Sequence, residues 1–449
     1  MHGDTIAAIA TAPGRGAVAI VRVSGEAARA VAAAVCPGAP LRARRAECRH
    51  VIGADGARID EGLALLFPAP RSYTGEDVLE IHVHGSPAVA RETLLAALAA
   101  GARLAGPGEF TRRAFETGKI DLCAAEAVAD LIASEHRSAM LGASARLSGG
   151  LSAEVEHLRR DLAALLEELS AALDFPDEVA APEPAEVDRR LRESARGLDA
   201  LARSWERGRL VSEGAAIAIV GPPNAGKSSL LNGLLGVDRA LVSEVAGTTR
   251  DTLEETVALG GGLVARLTDT AGIRPGGDAL EAAGIARSHA ALGAARLVLV
   301  VVDGSRPLPP EARSLLTETR GRERIVYFNK RDLGEAGYAQ RELPEREALA
   351  GCAHDRTTVE QLRAALAERL AGDVVDWARP HLGTARQADA VLTARRALAF
   401  ALEGLEAAAP LDLLAPDLSA AYAALGEISG RDASEAVLDA VFARFCIGK

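Results

Sequence analysis

The sequence predicts a multidomain α/β protein with three parts: an N-terminal α+β domain, a helical domain built from two chain segments, and an inserted P-loop nucleotide domain. Three observations carry this. Up to about Gly118, short strand-like and helix-like runs alternate. From Ala124, and again beyond Trp377, apolar residues recur at the three- and four-residue spacings of a helix. Between these helical stretches, from near Ala215 to about Leu370, strand-like runs and glycine-rich loops alternate with helices. The expected boundaries are therefore 1–118, 119–213, 214–376 and 377–449 of the 449 residues.

In chain order, Thr5–Ala10 and Ala17–Val23 read as strands around the turn Pro13-Gly14-Arg15-Gly16. Gly62–Phe67 and Asp77–His84 read as further strands, and Pro87–Ala100 as a helix. The clearest helix is Leu151–Leu173, with Leu151, Val155, Leu158, Leu162, Leu165, Leu169 and Leu173 in one stripe. Asp174-Phe175-Pro176-Asp177 ends it, and a second helix carrying Val187, Leu191, Leu198, Leu201 and Trp205 is expected to pack back antiparallel. The last segment places Val391, Leu398, Leu402 and Leu405 on one helical face.

The strand Ala216–Val220 runs into Gly221-Pro222-Pro223-Asn224-Ala225-Gly226-Lys227-Ser228, followed by the helix Ser229–Leu235. This is the GxxxxGK[ST] phosphate loop in its required strand–loop–helix context. Backbone N–H groups and the helix N-terminus favour an anion, Lys227 is expected at the β- and γ-phosphates, and Ser228 at Mg²⁺. Three more segments follow in the order a GTPase requires. Gly247-Thr248-Thr249-Arg250-Asp251 offers a threonine to Mg²⁺ and the γ-phosphate. Asp269-Thr270-Ala271-Gly272 supplies a carboxylate for the metal shell and a glycine N–H for the γ-phosphate. Asn329-Lys330-Arg331-Asp332 follows the strand Ile325–Phe328. There Asp332 can accept the N1–H and N2–H of guanine, Asn329 can bond the base edge, and the Lys330 stem can cover the ring. Many GTPases orient the attacking water with a glutamine after the DxxG segment, but Ile273 stands there. Asn224 offers an amide oxygen either to a hard monovalent cation or to a loop hydrogen bond.

Composition narrows the class. The chain is 49% hydrophobic and 25% charged, an ordinary globular balance. Its densest apolar run, Leu297–Val302, is strand-length, far short of the roughly 18–20 residues of a membrane helix. The start lacks a secretory pattern. Five cysteines (Cys36, Cys48, Cys123, Cys352, Cys446) contain no CxxC pair, which argues against a disulfide framework or structural zinc and for a reducing cytoplasm. The net charge of −11 argues against a general polyanion binder. The basic runs Arg42, Arg44, Arg45, Arg49 and Arg189, Arg190, Arg192, Arg196 read as solvated faces, so RNA binding would need a limited patch.

Among 51 Lys+Arg only four are lysine, Lys119, Lys227, Lys330 and Lys449, and the only asparagines are Asn224, Asn232 and Asn329. Abundant Ala, Gly and Arg point to a coding bias that drains both types, so the survivors mark positions where substitutes fail. Four of them fall in the nucleotide motifs just described.

The set Asn224 within PNAGKSSLLN, Ala246–Asp251, and the tail Phe445-Cys446-Ile447-Gly448-Lys449 closely resembles the bacterial tRNA modification GTPase family MnmE, also called TrmE. So do Ala12-Pro13-Gly14-Arg15-Gly16, Val21-Arg22-Val23-Ser24-Gly25, Tyr73-Thr74-Gly75-Glu76-Asp77 and Pro107-Gly108-Glu109-Phe110. The resemblance spans essentially the whole chain. It implies a Ras-like G domain stimulated by K⁺, held by Asn224, Ser243, Val245 and Thr248 when two G domains meet. It implies a GTP site drawn from Asn224–Ser229, Ser243, Thr248, Thr249, Asp269–Gly272, Asn329, Lys330, Asp332, Cys352 and Ala353, with Mg²⁺ on Ser228 and Thr249. Glu281 is implied as the water-orienting residue, acting with Lys227 and Thr249. The N-terminal domain is implied to bind tetrahydrofolate through Arg22, Glu80, Lys119 and Lys449 and to hold a homodimer, with Cys446 near that site. The implied partner is the FAD- and NADH-using protein MnmG. Together they add an aminomethyl or carboxymethylaminomethyl group to C5 of the wobble uridine of certain tRNAs, from a methylenetetrahydrofolate carbon; 5-formyltetrahydrofolate is the analogue.

Departures are visible. The family's guanine-contacting Ser-Ala appears as Gly351-Cys352-Ala353, so the serine's help is expected to be lost. A run often rich in arginine reads Thr384-Ala385-Arg386-Gln387, and His82 and His84 lack a third ligand and read as structural. Lys119 and Lys449 join the folate set, leaving Asn232 with an expected packing or capping role. A pure conformational switch that scaffolds RNA or ribosome assembly shares the phosphate-loop motifs. It has no use for Arg22, Glu80, Lys119, Cys446 and Lys449.

Overall fold

The computed structural model describes residues 3–236, 254–260, 263–269, 292–293, 295–333, 348–371 and 379–449. The chain divides into two compact units: Met1–Ala133, Ala143–Ala202 and Leu382–Lys449 form one, and Ser134–Gly142 with Arg203–His381 form the other.

The first unit begins with a sheet of β1 (Ile6–Ile9), β2 (Val18–Ser24), β3 (Glu47–Ile52), β4 (Arg58–Phe67), β5 (Val78–His84) and β6 (Arg103–Leu104) in the order β3-β4-β5-β2-β1-β6. Every pairing is antiparallel except β1 with β6. Alternation along β2 and β5 decides the faces. Ala19, Val23, Leu79, Ile81 and Val83 are buried against α1 (Ala28–Val35) and α2 (Pro87–Ala99). Arg22, Glu80 and His82 therefore point to the opposite face. The register sets Arg22 directly against Glu80.

After α3 (Glu109–Glu116), α4 (Leu122–Ala133) and α5 (Arg137–Leu147), the long helix α6 runs from Gly150 to Asp174. Its expected stripe is buried from Leu151 to Leu169, but Leu173 is exposed, so the core ends one turn before the helix does. α7 (Pro184–Glu213) buries Val187, Leu191, Leu198 and Leu201.

The second unit is doubly wound. Its strands β7 (Ala215–Val220), β8 (Glu254–Gly260), β9 (Leu263–Asp269), β10 (Leu297–Asp303), β11 (Arg324–Asn329) and β12 (Ala348–Ala350) lie in the order β12-β11-β10-β7-β9-β8. All pairings are parallel except β8 with β9. Helices α8 (Lys227–Gly236) and α10 (Arg356–Ala371) cover one face, and α9 (Pro310–Glu318) the other. Burial on both faces explains why β10 reads as an unbroken apolar run rather than an alternating one.

The chain then returns to the first unit through α11 (Ala385–Glu406), a 3₁₀ turn at Leu411–Leu414, α12 (Ala415–Ser429) and α13 (Glu435–Phe442). α12 packs on both α11 and α6, so the two helical segments share one bundle. The departure Thr384-Ala385-Arg386-Gln387 has a local reason. Thr384 caps α11 by accepting from Gln387 N at 3.3 Å, while Gln387 Oε1 accepts from Gly383 N at 2.8 Å, a reciprocal cap. Arg386 donates from Nε and Nη2 to both oxygens of buried Glu126 on α4, at 2.9 and 2.7 Å. Gln387 Nε2 joins the same carboxylate at 2.7 Å. Among the described residues, no helix is long and apolar enough to cross a membrane.

Candidate functional site

β7 stands centrally in its sheet, with β9 on one side and β10 on the other, and the phosphate loop leaves its carboxyl end. That crevice is where open α/β sheets bind ligands. Two residues of the loop have positive φ. Asn224 lies at +60°, a conformation that asparagine tolerates better than most side chains. Gly226 lies at +91°, and a Cβ there would collide with the Asn329 amide nitrogen, so the two segments approach as only glycine allows. Lys227 is buried and donates through Nζ to Gly221 O at 2.8 Å and Pro222 O at 2.9 Å. Ser228 is exposed at the start of α8.

The Asn-Lys-Arg-Asp segment does structural work. Asn329 is only 2% exposed; its Nδ2 donates to Ala225 O at 2.9 Å and its Oδ1 accepts from Ala353 N at 3.0 Å. One side chain thus ties the phosphate loop to the loop after β12. Lys330 has φ +64° and places Nζ 2.7 Å from Asp303 Oδ2 at the end of β10. Asp303 was not singled out by sequence. Burial opposes its ionisation, but bonds from Lys330 and Ser305 outweigh it and hold the carboxyl below its ordinary value.

Cys352 is half-buried in the loop after β12. Burial pushes the Cys352 thiol up, and the nearby Asp332 carboxylate adds to this against the opposing His354 N–H. Cys352 N also donates to Thr358 Oγ1 at 3.1 Å, and that hydroxyl donates to Cys352 O at 2.9 Å. Asn232, expected to pack or cap, is exposed within α8, because Leu230, Leu231, Leu234 and Leu235 take the core side. Ser243, Val245, Thr248, Thr249, Thr270, Ala271, Gly272 and Glu281 lie outside the described residues, as does the side chain of Asp269.

In the first unit, Arg22 Nε donates to Glu80 Oε1 at 3.0 Å, with Nη2 at 2.9 Å from the same oxygen. The guanidinium carbon lies 5.3 Å from the Tyr73 ring centre and 5.7 Å from that of fully buried Phe110. These two rings belong to quoted motifs, but their role was not legible in sequence. His82 Nε2 is 3.2 Å from the other Glu80 oxygen, and His84 Nδ1 is 2.9 Å from Asp60, so both histidines have carboxylate partners. No group of three metal-ligating side chains occurs among the described residues.

The C-terminal tail reaches this domain. Pro107 and Ile447 form a bridge, and Phe110 N donates to Lys449 O at 3.1 Å. Gly448, at φ +101°, lies so close to Ile9 O that a Cβ would clash. Phe110 thus pairs with the Lys449 backbone through its N–H and faces the Arg22 guanidinium with its ring. Cys446 is exposed. Lys119 is reached from another side: its Nζ donates to Pro70 O at 3.2 Å, on the loop that carries Tyr73.

The strand order, the phosphate loop on the central strand, and the buried Asn329 strut define a Ras-like P-loop GTPase domain. The family model described as "GTP-binding protein TrmE N-terminus" matches residues 5–119, and that described as "MnmE helical domain" matches residues 122–446. The chain is 43% identical over 465 residues to "tRNA modification GTPase MnmE" of Roseiflexus sp. (strain RS-1), covering 100% of both chains. It is 42% identical over 466 residues to the protein of that name from Moorella thermoacetica, again covering 100% of both. The chain belongs to the MnmE (TrmE) family of tRNA modification GTPases, and its activity is that of a GTP hydrolase.

Proposed function

We propose that this chain is a K⁺-stimulated GTPase of the cytoplasm. As a homodimer working with the FAD-dependent partner MnmG, it takes part in adding an aminomethyl or carboxymethylaminomethyl group to C5 of the wobble uridine of certain tRNAs. The carbon comes from 5,10-methylenetetrahydrofolate. The observation that carries the reading is the meeting of Arg22 and Glu80 with the C-terminal tail through Phe110, which a plain switch does not need.

The residues present suit the groups this reading requires. Buried Lys227 and the exposed Ser228 at the start of α8 suit a polyphosphate, with Ser228 and Thr249 for Mg²⁺. Asp332 would accept from guanine, with Lys330 against the ring. Asn224, Ser243, Val245 and Thr248 would provide oxygens for K⁺, and Glu281 would orient the attacking water. In the N-terminal domain, Glu80 suits the donor edge of a pterin, while Arg22, Lys119 and Lys449 suit carboxylates. Tetrahydrofolate would supply the one-carbon unit, and Cys446 would stand beside it. The γ-phosphate would control opening and closing of the G domains.

Calorimetric titration with 5-formyltetrahydrofolate tests the one-carbon half of the reading. Wild type should bind and Lys119→Ala should bind more weakly. No binding by wild type would leave only the conformational switch.

A further inference from the structure

The two basic runs differ once their partners are known. Arg189, Arg190 and Arg192 each hold a carboxylate within 2.9 Å, and Arg196 lies 4.0 Å from Glu193. In the other run, Arg42 and Arg49 converge on Glu47, at 3.1 and 2.6 Å. Arg44 and Arg45 do not share it. Both are exposed, and neither has a carboxylate in ion-pair distance among the described residues.

Arg44 has φ +58°, a conformation costly for a long side chain, and its N–H donates to Leu66 O at 2.8 Å. From there its guanidinium hydrogen-bonds the carbonyl of Arg71. The preceding carbonyl, that of Pro70, is held by Lys119 Nζ. Two cations thus grip consecutive peptide carbonyls of one loop, while the side chain of Arg71 itself is exposed, and none of the three has an acidic partner among the described residues. Two residues along the same loop, Tyr73 stacks on Arg22. A concentration of like charge held together by neutral carbonyls is unfavourable by itself and favourable once a multiply charged anion lies across it.

We infer that Arg44, Arg71 and Lys119, flanked by Arg45, form a binding site for the carboxylates of an oligo-γ-glutamate tail, extending the Arg22–Glu80 face along the 70–73 loop. This rests on the folate reading above and names the form of folate that the site takes. The patch is small and the net charge is −11, which suits a short carboxylate chain better than a nucleic-acid backbone. Guanidinium groups also match carboxylates in geometry.

The test compares 5-formyltetrahydrofolate carrying one glutamate with the same compound carrying five, by calorimetry at low and moderate salt. Three exposed ion pairs of modest individual strength should make the pentaglutamate bind about tenfold more tightly to wild type, less so as salt rises. In the double variant Arg44→Gln, Arg71→Gln the ratio should fall to about one, with affinity for the monoglutamate unchanged. Equal binding of both compounds by wild type would overturn the tail site and leave the folate reading standing. Binding of neither would overturn both. A double variant that keeps the ratio but loses affinity for tRNA would assign the patch to phosphodiesters and overturn the proposal.

Discussion

Arg22 and Glu80 stand directly opposite one another on β2 and β5, joined at 2.9 Å, and are only 16% and 17% exposed. Each is the other's compensation for leaving water, and the rings of Tyr73 and Phe110 close over the guanidinium. Glu80→Gln should lower stability by about 1–3 kcal/mol in urea unfolding, because it leaves a half-buried cation underpaired. Arg22→Lys should not match wild type, since an ammonium lacks the planar surface that the rings contact. Wild-type stability in both variants would show that the pair is merely incidental.

Asn329→Ala should weaken binding of a fluorescent GDP analogue on the order of a hundredfold, although Asn329 is one residue among many at the site. The substitution leaves Ala225 O and the Ala353 N–H without their partner, and each unsatisfied buried group costs about 1–3 kcal/mol. An unchanged dissociation constant would mean that the two loops hold their positions without this strut.

Asn224 has two reasons to resist replacement, its positive φ and its proposed donation to K⁺, and they separate cleanly. Glycine accepts the backbone at no steric cost, whereas alanine does not. Asn224→Gly should therefore keep nucleotide affinity near wild type and lose the acceleration of GTP hydrolysis in KCl over NaCl. Full K⁺ stimulation in Asn224→Gly would assign the residue to the backbone alone.

Much of this architecture was legible because it follows from period and spacing. Ile219, Val300 and Val326 lie in apolar strands covered on both faces, and Lys227 and Asp332 sit at intervals that backbone geometry demands. Other elements carry weaker signals. α1 is mostly alanine, so its apolar stripe has little contrast, and β3 is a polar edge strand with Glu47 and Arg49 paired to each other. The roles of Tyr73, Asp303 and Arg386 depend on partners 51, 27 and 260 positions away, which no local pattern encodes. A resemblance located Arg22 and Glu80, but only the strand register explains why they meet.

Glu109 links pH to stability. Its burial favours the neutral acid, yet bonds from Arg103, Gly106 N–H and Arg113 prevail and hold it down to about 2. A depressed carboxyl stabilises the fold above its unfolded value and loses that contribution as pH falls through the folded one. Unfolding measured between about pH 4.5 and 2 should show wild type losing on the order of 2–3 kcal/mol from this group. Glu109→Gln should show a shallower decline across that window, and an identical decline would locate the acid sensitivity elsewhere.

Removing Arg386 should be far more damaging than removing a surface arginine such as Arg196. Arg386→Met leaves the Glu126 carboxylate, 4% exposed, without its main counter-charge, for a loss of about 3–5 kcal/mol in chemical unfolding. The double variant Glu126→Leu, Arg386→Met should recover most of it, since an apolar pair carries no desolvation penalty. A double variant as unstable as the single one would point to packing rather than charge.

The same clasp sets a timetable for biosynthesis. Glu126 and Arg386 are separated by 260 residues of chain. At roughly 5–20 residues per second, Arg386 follows Glu126 out of the ribosome after about 10–50 s. Throughout that delay Glu126 stays hydrated, and α4 and α6 have no bundle to join. Strands β7 to β12, by contrast, all emerge within the interval and can complete their sheet. The inserted domain is thus finished before its host, and a nascent chain stalled between the two would display a working nucleotide fold on an open helical frame.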